Sequence, residues 1–165
     1  ERLLVSPSKG IHLLLALKAK DKALLLFHPK DGRVVFLIPF KGRSLLGTTD
    51  QLYQGALDEL AIDQVEIDYL LEVLEYYFPN LSDADKKIVD TFVGLRPLVA
   101  EKKASISAIS RDYKLFEEPK GLFHLLGGKY TTYRAMSEAT SDAVVRYLGL
   151  SPKDFPCQTN TLAIS

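Results

Sequence analysis

The chain has 165 residues, 47% of them hydrophobic and 25% charged, enough for one folded domain with a real core. Lysine plus arginine equals aspartate plus glutamate at 21 each, so bulk charge favours neither nucleic acid nor an anionic membrane, and any anion must be held by local clusters. A single cysteine, Cys157, excludes a disulfide within the chain and argues against a cysteine-built zinc site, while no apolar run approaches the ~18 residues of a membrane helix.

A reducing compartment is therefore the default. No signal-peptide pattern opens the chain, and its first residue is Glu1 rather than Met, so it is expected to be a piece of something longer. IHLLLAL (11–17) and KALLLF (22–27) are short apolar runs separated by polar residues from Lys18 to Asp21, which predicts a hairpin. Pro29-Lys30-Asp31-Gly32 reads as a turn: proline presets one torsion and glycine tolerates positive φ. RVVFLIP (33–39) is a β-branched and aromatic strand, Lys41-Gly42 turns again, and SLLGTT (44–49) is a further strand. Four strands joined by short turns predict an antiparallel sheet.

Asp63 and Glu66 have the spacing of a capping box, and Ile67, Leu70, Leu71, Leu74 and Phe78 recur at helical spacing before Pro79 stops the run. IVDTFVGL (88–95) reads as a strand running into Arg96-Pro97, and ISAIS (106–110) and YKLF (113–116) as further strands. GLFHLL (121–126) is a buried-strand candidate. A last helix is predicted from about Thr131 to Leu148. Its stripe of Met136, Ala139, Ala143, Val144 and Tyr147 is rich in small residues and should lie close on a sheet, and Gly149 and Pro152 end it. Beyond Leu150 there is little pattern, and a poorly ordered tail is expected.

GGKYTTYR (127–134) is the most chemically suggestive stretch. A strand, two glycines and a helix start suit an anion, since first-turn N–H groups point outward and the helix dipole adds partial positive charge. An N-capped helix after a glycine turn explains the same letters. The Walker A spacing GxxxxGK is absent, and so is GxGxxG. Arg96, in GLRPL, closes an apolar strand and needs an anion or a buried carboxylate. Arg111, in SRDY, has Asp112 and other acids near it as surface partners. His12 lies in the apolar strand KGIHLLL, either as a base or as a satisfied core histidine. His28, before Pro29, reads as a surface residue and His124 as a strand residue, so the three histidines do not suggest a metal site. In GTTD (47–50), Asp50 is expected to cap or to pair with an arginine.

Six segments come in a telling order: KGIH at 9–12, GRVVFLIPF at 32–40, LLGTTD at 45–50, GLRPLV at 94–99, SRDY at 110–113 and GGKYTTYRAMSEATSDAV at 127–144. Together, over roughly residues 8–149, they resemble the FAD-dependent glycerol-3-phosphate dehydrogenases, within the flavoprotein superfamily of glycine oxidase and D-amino-acid oxidase. Phe40 stands where that family usually has tryptophan, and Tyr130 where leucine or methionine is common. The resemblance implies an α+β fold. Residues 1–117 would be an antiparallel-sheet substrate (cap) domain with helices on one face, residues 118–150 a C-terminal strand–helix of the FAD-binding domain, and residues 151–165 a tail. The N-terminal Rossmann unit that holds the FAD pyrophosphate would lie outside this piece.

The implied reaction is oxidation of sn-glycerol 3-phosphate to dihydroxyacetone phosphate, with hydride transfer from C2 to N5 of FAD. His12 would be the catalytic residue, as base or as orienter. Arg96, Arg111 and Lys129 would bind substrate, the arginines through its phosphate. Gly127, Gly128, Lys129 and Thr131 would bind the cofactor, with the helix start stabilising negative charge on the reduced flavin. No metal is implied. The isolated piece is expected to be inactive, and its unpartnered strand–helix to expose apolar surface and self-associate, leaving a homodimer open. The parent is expected in the cytoplasm, with peripheral contact to the inner face of the plasma membrane and to quinone left open. The electron acceptor is open among quinone, another subunit and oxygen, and no nucleic acid partner is expected. Two alternatives stand beside this reading: a non-catalytic module for small phosphate esters, and a relative that oxidises amines or amino acids.

Overall fold

Two tight turns decide the first sheet. The structure, a computed structural model, describes residues 5–18, 21–99 and 112–162. β2 (Leu24–Phe27) turns into β3 (Val34–Phe40) where His28 N–H donates to Arg33 C=O at 2.8 Å and Gly32 takes φ of 70°. β3 turns into β4 (Arg43–Gly47) through Lys41 and Gly42, both at positive φ (50° and 73°), as a two-residue hairpin requires. β1 (Val5–Lys18) then pairs antiparallel with β4, Leu13 opposite Leu46. The order is β2-β3-β4-β1-β5, with β5 at Gln51–Leu52, and β6 (Ile88–Val99) also pairs β1. The expected hairpin between 11–17 and 22–27 does not form. The two turns commit β2 to β3 and β3 to β4, so β1 finds its partner in β4.

α1 (Gln64–Tyr77) starts as its capping box predicts, with Glu66 Oε2 accepting from Asp63 N–H at 3.1 Å. Its Leu70, Val73 and Leu74 are fully buried against Ile11, Leu13, Leu15, Leu26, Val35, Leu37 and Leu46. Each such side chain stabilises the fold by about 1.5–3 kcal/mol relative to exposure. Strand alternation puts Lys9, Ile11, Leu13 and Leu15 on this core face of β1, and Ser8, Gly10, His12 and Leu14 on the other. The outer face of the sheet leaves Leu25 opposite Phe36 and Phe27 opposite Val34, all four exposed. A short α2 (Asp83–Lys86), capped by Ser82, leads into β6.

Contacts divide the chain into two units, 7–96 and 97–165 with 1–6. In the second unit β7 (Tyr113–Glu117) and β8 (Phe123–Gly127) form an antiparallel hairpin, with Phe116 stacked on His124 at 4.9 Å. β8 is only half buried, less than its apolar sequence predicts. α3 (Tyr133–Tyr147) follows a 3-10 turn at Tyr130–Thr132, so the regular helix begins two residues later than expected. The predicted stripe packs toward the hairpin, with Met136, Ala139 and Ala143 half buried and Tyr147 edge-on to Phe123 at 5.7 Å. Gly149, at φ of 75°, ends the helix. The tail is more regular than expected. Ser151 caps a 3-10 turn at Pro152–Asp154, and Thr159 Oγ1 accepts from Arg134 Nε on α3 at 3.3 Å. ISAIS (106–110) lies outside the described residues.

Candidate functional site

Arg96 projects from β6 toward the face of β1 that carries Ser8, Gly10 and His12. Its Nη2 donates to Thr48 Oγ1 at 2.9 Å and to Thr49 C=O at 3.2 Å. Its Nη1 lies 3.4 Å from both Ser8 Oγ and Asp50 Oδ1, and the Ser8 hydroxyl donates to Asp50. Arg33 Nη1 donates to the Asp50 carbonyl at 2.5 Å. The carboxylate partner that the sequence suggested for Arg96 is thus Asp50, and it comes with three oxygens from the GTTD turn and β1. The arginine side chain stays 29% exposed, however, and with Gly10, His12 and residues 92–95 it lines a cavity of ≈ 320 Å³. Gly10 is a steric necessity here: a Cβ on it would lie 2.5 Å from Nη2 and 2.7 Å from Thr48 Oγ1.

His12 stands opposite Gly47 in the β1–β4 ladder, half buried, on the same cavity. Burial, and then the charge of Arg96, push its pKa below the ordinary histidine value. The ring is therefore neutral at pH 7, the form that can accept a proton.

Behind this face lies a buried polar layer. Lys9, 5% exposed, places Nζ 2.7 Å from Glu66 Oε2, 3.2 Å from Asp63 Oδ2 and 2.8 Å from the Ala61 carbonyl. Burial alone would lower the lysine pKa, but hydrogen bonds and charge from Glu66 and Asp63 outweigh it and raise it, so the ammonium persists. Glu66, 1% exposed, also accepts from Thr49 Oγ1 at 3.4 Å, and that hydroxyl accepts from Ile11 N–H at 3.0 Å.

At the second unit's helix start, Gly127 and Gly128 have φ of 75° and 86°. Gly128 N–H donates to Asp112 C=O at 3.2 Å, and Lys129 N–H to Thr132 Oγ1 at 3.1 Å. Thr132 therefore closes the turn, and the side chains of Lys129 and Thr131 are exposed. A Cβ on Gly127 would lie 2.8 Å from Asp112 O and from Val99 Cγ2, and one on Gly128 2.4 Å from Met136 Sδ, so the chain's own packing already requires both glycines. The outward set is an ammonium, a hydroxyl and a helix N-terminus. All are donors, which fits a group rich in carbonyl and anionic oxygens such as a flavin.

The structure thus brings His12 and Arg96 to one cavity in unit 7–96, while Gly127, Gly128, Lys129 and Thr131 belong to the other unit. Arg111 lies outside the described residues. Sequence reasoning passed over Ser8, Lys9, Thr48 and Thr49. The signal for Lys9 was there: a lysine on the apolar face of a strand needs a carboxylate, and Glu66 opens the amphipathic helix that covers that face. His28 corrects the expectation of a surface residue. It is 1% exposed, with its ring stacked on Tyr69 at 3.7 Å, Nε2 donating to Tyr69 C=O at 3.1 Å and Nδ1 accepting from Lys30 N–H at 3.1 Å. Both ring nitrogens are satisfied, Nδ1 by the turn and Nε2 by α1, which lets the imidazole be buried without cost in unmade hydrogen bonds.

Residues 1–142 match the family model described as FAD dependent oxidoreductase. The aerobic glycerol-3-phosphate dehydrogenases of Staphylococcus aureus strains USA300 and COL are each 36% identical over 166 residues, covering 96% of this chain and 29% of theirs. The X-ray structure of the glycerol-3-phosphate dehydrogenase from Bacillus halodurans complexed with FAD superposes with a TM-score of 0.74 at 32% identity, over 94% of this chain and 29% of that one. The chain thus spans under a third of the length of these relatives.

Proposed function

Because this chain belongs to the family of FAD-dependent oxidoreductases, we propose that it forms part of an enzyme oxidising sn-glycerol 3-phosphate to dihydroxyacetone phosphate. The observation that carries the reading is a partly exposed arginine fork and a neutral histidine on one cavity. Arg96 draws the phosphate by its fixed positive charge, its Nη groups being the ones that donate to Ser8, Asp50, Thr48 and Thr49. Asp50, Ser8 and Thr48 hold the fork in place before substrate arrives. His12 takes the C2 hydroxyl proton as the carbinol becomes a ketone. FAD, when bound, supplies the acceptor for the C2 hydride. Arg111 is a second phosphate ligand in this reading. Gly127, Gly128, Lys129 and Thr131 meet the flavin, with Lys129 also reaching substrate and residues 118–150 serving as the strand–helix of the cofactor domain. The piece alone is inactive.

The test uses the full-length flavin-loaded protein, following reduction of an artificial dye on adding sn-glycerol 3-phosphate. Turnover is expected, with a loss of at least about a hundredfold in kcat/KM for Arg96→Ala at unchanged flavin content. Flavin-loaded protein that leaves glycerol phosphate untouched but oxidises sarcosine or glycine would replace this reading with the amine-oxidising one.

A further inference from the structure

We propose that Lys9 and Glu66 are positioning residues for the Arg96 site, acting through Thr49; the inference rests on the phosphate-binding reading of Arg96. The residues form two hydrogen-bonded segments joined through the covalent frame of Thr49, its hydroxyl facing Glu66 and its carbonyl facing Arg96. Lys9 Nζ meets Glu66 Oε2 at 2.7 Å, Glu66 Oε1 meets the Thr49 hydroxyl at 3.4 Å, and the Thr49 carbonyl meets Arg96 Nη2 at 3.2 Å. Each link fixes the next. Lys9 and the Asp63 N–H occupy Oε2, at 2.7 and 3.1 Å, which turns Oε1 toward Thr49. The Thr49 hydroxyl, 2% exposed as a residue, is used twice: it donates to Glu66 and accepts from Ile11 N–H. Held at both ends, residue 49 cannot rotate without breaking a buried bond. The GTTD turn is thereby pinned to β1, and three consecutive residues of that turn, 48 to 50, meet the guanidinium.

A core-filling role does not explain the choice of residues. A buried lysine–glutamate pair carries a large desolvation penalty, and well-packed apolar side chains fill such a space at least as well. An apolar pair would offer Thr49 no acceptor, however. What the charges add is direction: they set the position of a loop whose other side holds Arg96.

The experiment compares full-length wild type with Thr49→Val, Thr49→Ser and Lys9→Met. Its readouts are KM and kcat for sn-glycerol 3-phosphate and the rise in Tm produced by inorganic phosphate. Valine keeps the shape and removes the hydroxyl, and serine restores it. Thr49→Val and Lys9→Met are expected to raise KM about tenfold or more with kcat within about threefold, and to lose the phosphate-induced rise in Tm, while Thr49→Ser recovers both. Should Thr49→Val fail to fold, Glu66→Gln carries the test, since it keeps the shape while removing the charge and turning one of the two acceptors into a donor. Variants with a lowered Tm but unchanged KM and phosphate response would overturn the proposal and leave a structural ion pair only. A wild type with neither glycerol phosphate turnover nor a phosphate response would instead overturn the reading beneath it, and the inference with it.

Discussion

Replacing Gly10 with alanine tests the geometry of the site without touching its chemistry. Gly10 lies in extended backbone in the middle of β1, so alanine is not strained there for its own sake. The new methyl would, however, stand 2.5 Å from Arg96 Nη2 and 2.6 Å from Nη1, where ordinary contact begins at 3.4 Å. The methyl would also stand 2.7 Å from Thr48 Oγ1, so the guanidinium and the Thr48 hydroxyl, both ends of side chains, give way together by roughly 1 Å, which loosens Arg96 from Thr48 and the Thr49 carbonyl. A displacement of about 1 Å in a positioning group costs about a hundredfold in rate, or ~2.7 kcal/mol of transition-state stabilisation. The effect on folding is smaller, because the Arg96–Asp50 pair is partly exposed and such pairs contribute at most about 1 kcal/mol. Gly10→Ala full-length enzyme should therefore melt within a few degrees of wild type, bind flavin normally and lose about a hundredfold in kcat/KM for glycerol phosphate. A kcat/KM within twofold of wild type would refute the claim that Arg96 must approach the β1 backbone to work.

Arg96→Lys should lose nearly as much activity as Arg96→Ala, since a lysine supplies charge but no fork for the GTTD turn to hold in place; steady-state kinetics decide it. His12 binds its proton less tightly in the folded state than in the unfolded chain, so the acid limb of kcat/KM should lie below the ordinary histidine value of 6.5. Arg96→Gln removes one of the two causes and should move the limb upward in residual activity, and the stability lost on acidification below 6.5 should shrink with it. Burial, and then the hydrogen bond to Asp31, push the Tyr69 hydroxyl up to about 12. Its raised folded pKa gives stability that is whole below pH 10 and lost as pH climbs toward 12, and Tyr69→Phe should flatten that slope in alkaline thermal melts. Lys9→Met leaves Glu66 as an unpaired buried charge and should cost about 3–5 kcal/mol in denaturant unfolding, whereas Lys9→Met with Glu66→Leu should recover most of it.

Much of this was legible in the letters. The capping box at Asp63 and Glu66 and the period of Leu70 and Leu74 announce α1 because both signals are local. The turns at Gly32 and Lys41-Gly42 were visible for the same reason. What escaped was pairing. Nothing within 11–27 says that β1 will skip its neighbour in sequence, since that choice follows from how the later turns commit β2 and β3. Arg96 could be read as needing an anion, but its partners come from positions 8 and 48 to 50, and only the sheet brings those together. His28 misled because a histidine before a proline looks like a loop residue, and the tyrosine that covers it lies 41 positions away.

The two faces of β1 also constrain how this strand can change in length. Lys9 and His12 differ by an odd number of positions, so one looks into the core and the other into the cavity. Inserting or deleting a single residue ahead of His12 would exchange the faces, driving an ammonium into the cavity and an imidazole under α1. Point substitutions along the strand can be absorbed one at a time, but a change in length between Lys9 and His12 keeps both sides intact only if a bulge takes up the extra residue, as the shift in pairing between Leu15 and Lys18 already does at the far end of β1.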